Sequence, residues 1–565
     1  MNKLFLSLSL SISLLNSALY AQTYNELWIP DTLSGTTFNL TLMESNLQLI
    51  PGNVTITSGV NNSFWGPTLF FNKNDEVFMN VQNSLNDETT LHWHGFHLPA
   101  VMDGGPHQVI PPGALWQPHW VVKNKAATFW YHPHLHEMSQ EQMTKGLGGF
   151  IIVRDEEEAA LVLPRTYGVD DIPLALTSRR YDSDNAFVYT NTAYGDYMLT
   201  NGTPNAEVDL PRQFVRLRIL NAEMERAYNL GFSDNRTFHI IGNDGGLLNA
   251  PVEATRVILA VGERIEIMVD LGSDTEGSTL DLKAYNSGFA LGFPGGEPGT
   301  SGNFGSLLNN LDFTVLHINV IGSTSNAVTA VPSTLANSTF LTETDATVNR
   351  TVTVTGGQGP TPFSFDNTPF NLATINKTVD VNTIEKWTIT NNQIFGHTFH
   401  IHDVQFKIVS RSNGAVGEYE NGWKDVLYLP RNTSATFVAK FEDYSDAIHP
   451  FMYHCHFANH EDAGMMGQFV VTGTPTGLIE QSATTTDYNL YPNPATNRLQ
   501  FSFSDPLMQV YYVRITNAVG RTILMLPRPF LNAGLDISAL SAGVYNVLLT
   551  DEKTKVTTTK KFVKL

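Results

Sequence analysis

The sequence predicts an all-β protein, with three related β-sandwich domains followed by a smaller all-β unit at the C-terminus. Three observations support this prediction: short runs alternate apolar and polar residues from 24 to 472, Gly, Pro and Asn turns separate them, and the chain contains an internal repeat. Many short strands separated by such turns are typical of sandwiches and barrels. With 565 residues, 42% of them hydrophobic, the chain can build several cores.

The composition excludes several classes of protein. Acidic residues outnumber basic ones by 54 to 34, and the formal net charge is −20. Such a surface repels phosphate backbones, so we expect no nucleic-acid partner. Because Cys455 is the only cysteine, a disulfide scaffold and a zinc site built on several thiolates are both excluded.

The first 21 residues have the pattern of a signal peptide. Lys3 precedes an apolar run from Leu4 to Leu15, and the small residue Ala21 follows at a plausible cleavage point. The run is shorter than the about 20 residues that a membrane span needs. We therefore predict a signal peptide over 1–21 and export from the cytoplasm; a core strand or an anchor is the alternative.

Strand patterns and composition shifts divide the next 450 or so residues into three predicted domains, 22–158, 159–325 and 326–474. Short helices are expected near 139–145 and 154–163. The first and third domains carry the repeat. Leu91-His-Trp-His-Gly-Phe96 matches Phe399-His-Ile-His-Asp-Val404, and Tyr131-His-Pro-His134 matches Tyr453-His-Cys-His456. The middle domain has no His-x-His pair, so we expect the chemistry in the outer two.

Ten of the 17 histidines fall in four clusters: His92 and His94; His132 and His134; His397, His400 and His402; His454, His456 and His460. Alternate residues of a strand point to one face, so each His-x-His pair presents two imidazoles in one direction. Eight imidazoles exceed the needs of one ion. They predict a cluster of copper, zinc or iron ions shared by the two outer domains. A satisfied structural histidine is the alternative for any one residue alone.

A second site is predicted on the opposite face of the last cluster. Cys455 lies between His454 and His456 and therefore points away from them. His397 and His460, with Cys455 and the thioether of Met465, provide the ligands of a blue copper site. His136 extends the alternation of the second cluster, so we expect it beside the metal cluster. The remaining six histidines are expected to be structural.

These motifs resemble those of the multicopper oxidases, the family of laccases, bilirubin oxidases, cuprous oxidases and ferroxidases. The resemblance covers about residues 40–472 and implies three cupredoxin-like Greek-key β-sandwich domains and four copper ions. It implies these ligands: type 1 copper, His397, Cys455, His460 and Met465; type 2 copper, His92 and His400; one type 3 copper, His94, His132 and His456; the other type 3 copper, His134, His402 and His454.

The resemblance also implies a function. The chain is expected to be a laccase-like oxidase that couples four one-electron oxidations of a phenolic or similar small substrate to the reduction of dioxygen to water. A cuprous or bilirubin oxidase and a non-catalytic copper-binding protein are the alternatives. Motifs such as Met102-Asp-Gly-Gly-Pro106 and Gly422-Trp-Lys-Asp425 resemble the three-domain bacterial cuprous oxidases more closely. The chain has no methionine between Met268 and Met452, however, where that branch often carries a methionine-rich insert.

Two further expectations concern electrons and protons. Imidazole edges at the surface, of His460 or His397, are expected to receive electrons from the substrate. Cleaving the O–O bond needs protons, so acids should lie beside the cluster. Asp103 and Glu461 are the expected catalytic acids, since each follows closely on a proposed ligand.

Beyond residue 474 the composition changes to a Thr/Ser-rich linker (475–487) and a final unit (488–565) without histidine or cysteine. Tyr491-Pro-Asn-Pro494 and the closing Lys560-Lys-Phe-Val-Lys564 resemble the C-terminal sorting domain of the type IX secretion system. That resemblance implies this machinery as a partner, with passage through the periplasm to the cell surface or medium. A carbohydrate-binding β-sandwich is the alternative, and we expect a monomer.

Overall fold

The computed structural model of the protein describes residues 23–190, 192, 194–357, 361–473, 488–503, 510–517, 522–527, 534–551 and 557–565. The chain divides into two units, residues 1–475 and 476–565. Strands dominate its regular secondary structure, which confirms the predicted all-β fold class. The predicted signal peptide and linker lie outside the described residues.

The first sandwich uses the earliest strands of the chain. Its elements and the short strand that precedes them are β1 (Asn25–Glu26), β2 (Thr32–Ser34), β3 (Thr37–Leu47), β4 (Thr55–Val60), β5 (Thr68–Asn72), β6 (Glu76–Asn83), β7 (His92–His94), β8 (Leu115–Trp116), β9 (His119–Val121), β10 (Ala127–His132) and β11 (Gly149–Arg154). One sheet has the order β2-β5-β11-β10-β7, and the other β4-β3-β6-β8 with β9 beside β6. Strand β6 alternates buried and half-buried residues along its length, as one face against a core requires.

The second sandwich is the largest. Its strands are β12 (Asp171–Arg179), β13 (Tyr197–Thr200), β14 (Thr203–Pro204), β15 (Ala206–Pro211), β16 (Phe214–Asn221), β17 (Tyr228–Phe232), β18 (Phe238–Asn243), β19 (Gly246–Ala254), β20 (Val257–Leu259), β21 (Arg264–Asp270), β22 (Thr279–Tyr285) and β23 (Asp312–Ile321). The sheet orders are β1-β15-β23-β22-β17-β20 and β14-β13-β12-β16-β21-β18-β19. Val328, Leu335 and Ala336, in the segment after β23, also pack into this core.

The third sandwich repeats the architecture of the first. Its strands are β24 (Val348–Thr355), β25 (Ser364–Phe365), β26 (Lys377–Asp380), β27 (Thr383–Asn391), β28 (His397–Ile401), β29 (Phe406–Arg411), β30 (Val426–Leu429), β31 (Thr433–Phe441), β32 (Asp446–Cys455) and β33 (Met466–Thr472). They form sheets of order β25-β24-β27-β31-β29 and β26-β33-β32-β28-β30. A core that includes Trp387, Phe437 and Tyr453 lies between them.

The helices are few and short. The α-helices are α1 (Ser139–Lys145), α2 (Glu156–Ala159) and α3 (Ala458–Asp462), and the 3-10 helices are Ala100–Met102, Asn286–Gly288, Glu343–Asp345 and Glu418–Glu420. The two helices expected from the sequence correspond to α1 and α2. The side chain of Asp155 caps α2 by accepting a hydrogen bond from the Glu158 amide. Among the described residues, no helix is long and apolar enough to cross a membrane.

The C-terminal unit has its own core, which includes Tyr488, Leu499, Val547 and Phe562. Its strands are β34 (Tyr488–Tyr491), β35 (Arg498–Phe503), β36 (Val510–Asn517), β37 (Thr522–Pro527), β38 (Leu535–Asp536), β39 (Gly543–Asp551) and β40 (Thr557–Lys564). They form sheets of order β34-β35-β38 and β37-β36-β39-β40. A separate core is the physical basis for a domain that folds independently.

Candidate metal centre

Matching strand pairs of the first and third sandwiches carry the histidines. Strand β7 pairs antiparallel with β10, which sets His92 opposite His132. Strand β28 pairs in the same way with β32, which sets His400 opposite His454. The structural repeat therefore follows the sequence repeat residue by residue.

The structure brings the clustered histidines together in several groups whose potential ligand atoms lie within 4.8 Å of one another. These groups are His92, His94 and His132; His92, His400 and His402; His134, His402 and His454; His94, His400 and Asp425; His397, Cys455 and His460. Four of these groups consist of histidines, with Asp425 in one of them, and the fifth contains Cys455. Residues more than 300 positions apart meet here: His134 Nε2 lies 3.1 Å from His454 Nε2, and His456 Nε2 lies 3.1 Å from His94 Nδ1.

Burial favours the neutral form of several of these imidazoles. Each clustered histidine exposes 2% of its surface or less. Burial lowers the pKa of His397 to about 3, and burial together with neighbouring imidazoles lowers the pKa of His400 and His402 well below the usual range. Neutral imidazole is the form that binds metal.

Hydrogen bonds orient the rings and leave one nitrogen of several rings without a partner. His92 Nδ1 lies 2.8 Å from the Asp103 carbonyl oxygen, and His400 Nδ1 lies 2.8 Å from the Asp425 carbonyl oxygen. Among the described residues, Nε2 of His92, of His400 and of His402 has no hydrogen-bond partner, although each is buried. A buried polar atom without a partner is costly, and a bound cation removes that cost. The donor set fits copper, for which imidazole is a suitable ligand.

The Cys455 group has the donors of a mononuclear site. Cys455 Sγ lies 3.7 Å from Nδ1 of His397 and 3.7 Å from Nδ1 of His460. Met465 is fully buried, and its carbonyl oxygen accepts a hydrogen bond from the Cys455 amide. Burial raises the pKa of the Cys455 thiol to about 12, so this thiol stays protonated unless a metal replaces the proton. Two imidazoles and a thiol are donors that fit a blue copper ion.

Two carboxylates, Asp103 and Glu461, contact the clustered histidines. Asp103 Oδ2 lies 2.7 Å from His402 Nδ1. The oxygens of Glu461 lie 3.2 Å from His134 Nδ1 and 3.1 Å from His454 Nδ1. Burial alone would raise the pKa of Glu461, but these two imidazoles and the hydrogen bond from Ser139 hold it below the usual range.

The turn that carries Asp103 depends on glycine. Gly104 has a φ of +78°, and a Cβ there would lie 1.9 Å from the Leu91 carbonyl oxygen. Only glycine allows this approach without displacing the backbone, so Gly104 lets the turn close against the segment that leads into β7.

Sequence reasoning assigned no role to Asp425, although the motif Gly422-Trp-Lys-Asp425 contributed to the family resemblance. Asp425 is fully buried, and its Oδ1 lies 3.1 Å from His94 Nε2. Arg264 of the second sandwich forms two hydrogen bonds of 2.6 Å with its carboxylate. These residues are separated by 161 positions, so no local pattern could have paired them.

The expectation that an edge of His460 or His397 reaches the surface is wrong. Each histidine is 1% exposed. The half-buried ring of Phe363 stacks on His460 with a centroid distance of 3.9 Å, and the half-buried ring of Phe395 lies 5.4 Å from His397. Two phenylalanines therefore separate these imidazoles from solvent.

The structure gives His136 a different environment from the one expected. Its ring packs edge-on against Phe370 with a centroid distance of 5.0 Å, and its side chain is 25% exposed. Among the described residues, His136 belongs to none of the groups of potential ligand atoms given above. Strand β10 ends at His132, so the alternation on which the expectation depended does not extend to His136.

Comparison with known proteins agrees with this geometry. The sequence profile of the multicopper oxidases matches residues 43–158 and 343–474, and that of a secretion system C-terminal sorting domain matches residues 489–565. The cell division protein FtsP of Proteus mirabilis is 31% identical over 73% of this chain and 85% of its own length. The multicopper oxidase mco of Staphylococcus aureus is 30% identical over 77% of this chain and 88% of its own length.

Solved structures are similar as well. A bacterial laccase-like multicopper oxidase, CueO from Ochrobactrum sp., has a TM-score of 0.71 and 28% identity, covering 79% of this chain and 100% of its own. That protein is described as having oxidase activity towards lignin model compounds and lignosulfonate. The multicopper oxidase McoA of Aquifex aeolicus has a TM-score of 0.72 and 27% identity, covering 80% of this chain and 100% of its own.

Proposed function

Because the chain belongs to the multicopper oxidase family, we propose that it is a laccase-like oxidase that couples four one-electron oxidations of a small donor to the reduction of dioxygen to water. The observation that carries this proposal is the convergence of nine buried histidines and Cys455 in groups with ligand spacing, with His456 3.1 Å from His94. Bound copper ions would supply the one-electron redox chemistry and the site of dioxygen reduction.

Four copper ions would be held by the residues that the family resemblance names. Type 1 copper would be bound by His397, Cys455, His460 and Met465; type 2 copper by His92 and His400; the type 3 coppers by His94, His132 and His456 and by His134, His402 and His454. The unpartnered Nε2 atoms of His92 and His400 support the type 2 pair. The close approach of His134 to His454 and of His94 to His456 supports the two type 3 sets.

Asp103 and Glu461 are the proposed proton-transfer groups; because the pKa of Glu461 is lowered, its carboxylate would take up a proton and pass it on rather than hold one at rest. Asp103 holds His402 through Oδ2, while its Oδ1 is buried without a hydrogen-bond partner among the described residues. Glu461 lies between His134 and His454 and accepts a hydrogen bond of 2.6 Å from the Ser139 hydroxyl. A carboxyl group in such a position can transfer a proton to the oxygens of dioxygen as it is reduced beside these histidines.

The donor is proposed to be a neutral aromatic molecule, a phenol or a compound like it. It would dock on the surface formed by Phe363 and Phe395, which cover His460 and His397. Ile394, which precedes Phe395, is 63% exposed, and the Gly396 amide donates to the carbonyl oxygen of Gly292, which follows the 61% exposed Leu291. Aromatic donors stack on such rings. The lignin-related activity described for the Ochrobactrum relative favours the same donor class.

Two other functions remain candidates. A cuprous or bilirubin oxidase would use the same copper ligands, but the absence of methionine between 268 and 452 disfavours cuprous ion. A non-catalytic role is favoured by one specific observation, the similarity to proteins named for cell division.

Export is part of the proposal. The match to a secretion system sorting domain over residues 489–565 supports delivery by the type IX machinery, through the periplasm to the cell surface or the medium. The oxidase would then act outside the cytoplasm, as a monomer.

Oxygen uptake by the copper-loaded full chain tests the proposal. Phenols, bilirubin and cuprous ion are supplied in turn, and the copper-free protein is the control. We expect uptake to be fastest with phenols and absent without copper. Uptake fastest with cuprous ion or bilirubin would assign one of the other oxidases, and no uptake with any donor would support the non-catalytic role.

A further inference from the structure

We propose that the middle sandwich, which contributes none of the proposed copper ligands, positions the type 2 and type 3 sites through Arg264. Arg264 fixes Asp425, and Asp425 in turn orients His94 and His400. This inference rests on the ligand assignment of the proposed function, and it gives the middle sandwich a role that its lack of ligands does not suggest.

Arg264 is held in a single position. It begins strand β21 and is 1% exposed. Its Nε donates to the Thr128 carbonyl oxygen in β10 at 3.1 Å, and its amide donates to Asp244 Oδ1 at 2.8 Å. Its two terminal nitrogens contact both carboxylate oxygens of Asp425 at 2.6 Å. A bidentate guanidinium–carboxylate pair fixes distance and angle together, which a lysine cannot do.

Asp425 connects this pair to one histidine from each outer sandwich. Its Oδ1 lies 3.1 Å from His94 Nε2, which leaves Nδ1 of that ring facing His132 and His456. Its carbonyl oxygen lies 2.8 Å from His400 Nδ1, so Nε2 of that ring is the nitrogen without a hydrogen-bond partner in the described part of the chain. His94 and His400 stack with a centroid distance of 3.8 Å. Hydrogen-bonding groups such as these oxygens of Asp425, which do not bind the metal themselves, determine which ring nitrogen of a histidine faces it.

A second contact from the same segment supports the inference. Gly262 has a φ of +82°, and a Cβ there would lie 2.9 Å from Cγ of His456. The loop before β21 therefore lies directly against a third proposed ligand ring. Lys424 anchors the same region, because its Nζ lies 2.9 Å from Asp244 and 3.0 Å from Glu263.

The test compares Arg264→Met with Arg218→Met in the full copper-loaded chain. Arg218 is an apt control because it lies in β16, the strand paired with β21, and is also 1% exposed. It pairs with Asp171 and Glu266 and donates to Thr128 Oγ1, and none of these three residues is a proposed ligand. Copper per chain, the electron paramagnetic resonance spectrum and the blue absorption band are measured for each variant.

We expect Arg264→Met to keep the blue band of type 1 copper but to lose at least half of the remaining copper or to change the type 2 resonance. Arg264→Lys should give a smaller change, and Arg218→Met should match the wild type. The inference is wrong if Arg264→Met has wild-type copper content and resonance, or if Arg218→Met changes them equally. Should Arg264→Met fail to fold, Asp425→Asn with the same readouts decides between these outcomes. A wild-type chain that binds no copper would instead contradict the proposed function.

Discussion

Strand alternation at Cys455 separates two kinds of site within three residues. His454 and His456 point to the histidine groups shared by the outer sandwiches, whereas Cys455 faces His397 and His460. A side-chain period of two residues was enough to predict this division. The phenylalanine cover and the Arg264–Asp425 pair could not be predicted, because they depend on contacts between distant segments.

Replacing the thiol tests the mononuclear site. We expect Cys455→Ser to lose the blue absorption band and donor oxidation but to retain the other three coppers, because serine provides no soft sulfur ligand. Absorption spectroscopy and metal analysis check both parts. A Cys455→Ser protein that remains blue would refute the assignment.

Replacing the two acids tests proton delivery. Asp103→Asn and Glu461→Gln keep the shape of the side chains but cannot donate a carboxyl proton, so each should slow reoxidation of the reduced enzyme by dioxygen about 10-fold or more. Reduction of type 1 copper should change less. Stopped-flow absorption measures both rates, and wild-type reoxidation in both variants would rule out the proton-donor role.

Paired strands are the elements that determine the site. Because β7 with β10 and β28 with β32 repeat the same register, the repeat in the sequence predicted which His-x-His pairs of the two sandwiches correspond. Helix α1 was also predicted, whereas α3 was not. Helix α3 has five residues and follows β32 almost directly, so it has no apolar periodicity of its own.

The link between the first and third sandwiches at His97 predicts a pH-dependent stability. Burial disfavours its charged form, but Asp403 at 2.7 Å and Asp443 at 3.1 Å raise the pKa of His97 to about 10. A raised pKa contributes stability that is complete below the unfolded-state pKa of about 6.5 and is lost as the pH rises through about 10.

We therefore expect His97→Gln to lower Tm by ~2–4 °C at pH 6, and the difference from the wild type to shrink by pH 10.5. Thermal unfolding followed by circular dichroism at both pH values measures it. His317→Gln is a suitable control, because His317 pairs with Asp281 inside the second sandwich. An equal Tm loss at both pH values would contradict the assigned charge of His97.

At the scale of the whole molecule, the chain divides at residue 475 into a unit that contains the three sandwiches and a C-terminal unit. Composition predicted this division, since the last 80 or so residues contain no histidine or cysteine. We expect residues 22–475 to bind four coppers and to oxidise phenols as well as the full chain does, because each unit has its own core.

The same truncation tests the sorting role in the native host. Protein lacking residues 476–565 should accumulate in the periplasm, whereas the full chain reaches the cell surface or medium. Fractionation followed by immunoblotting measures the distribution. Loss of copper from the truncated protein would make the tail structural, and normal export would show that the tail is not the sorting signal.

The ratio of donor electrons to dioxygen tests the central claim most directly. Copper-loaded protein oxidises a phenol in a closed oxygen electrode while the product is counted by absorption, and catalase is added at the end. Coupled reduction to water predicts four electrons removed per dioxygen consumed and no oxygen released by catalase. A ratio near two with oxygen released by catalase, or no consumption at all, would contradict a four-copper oxidase.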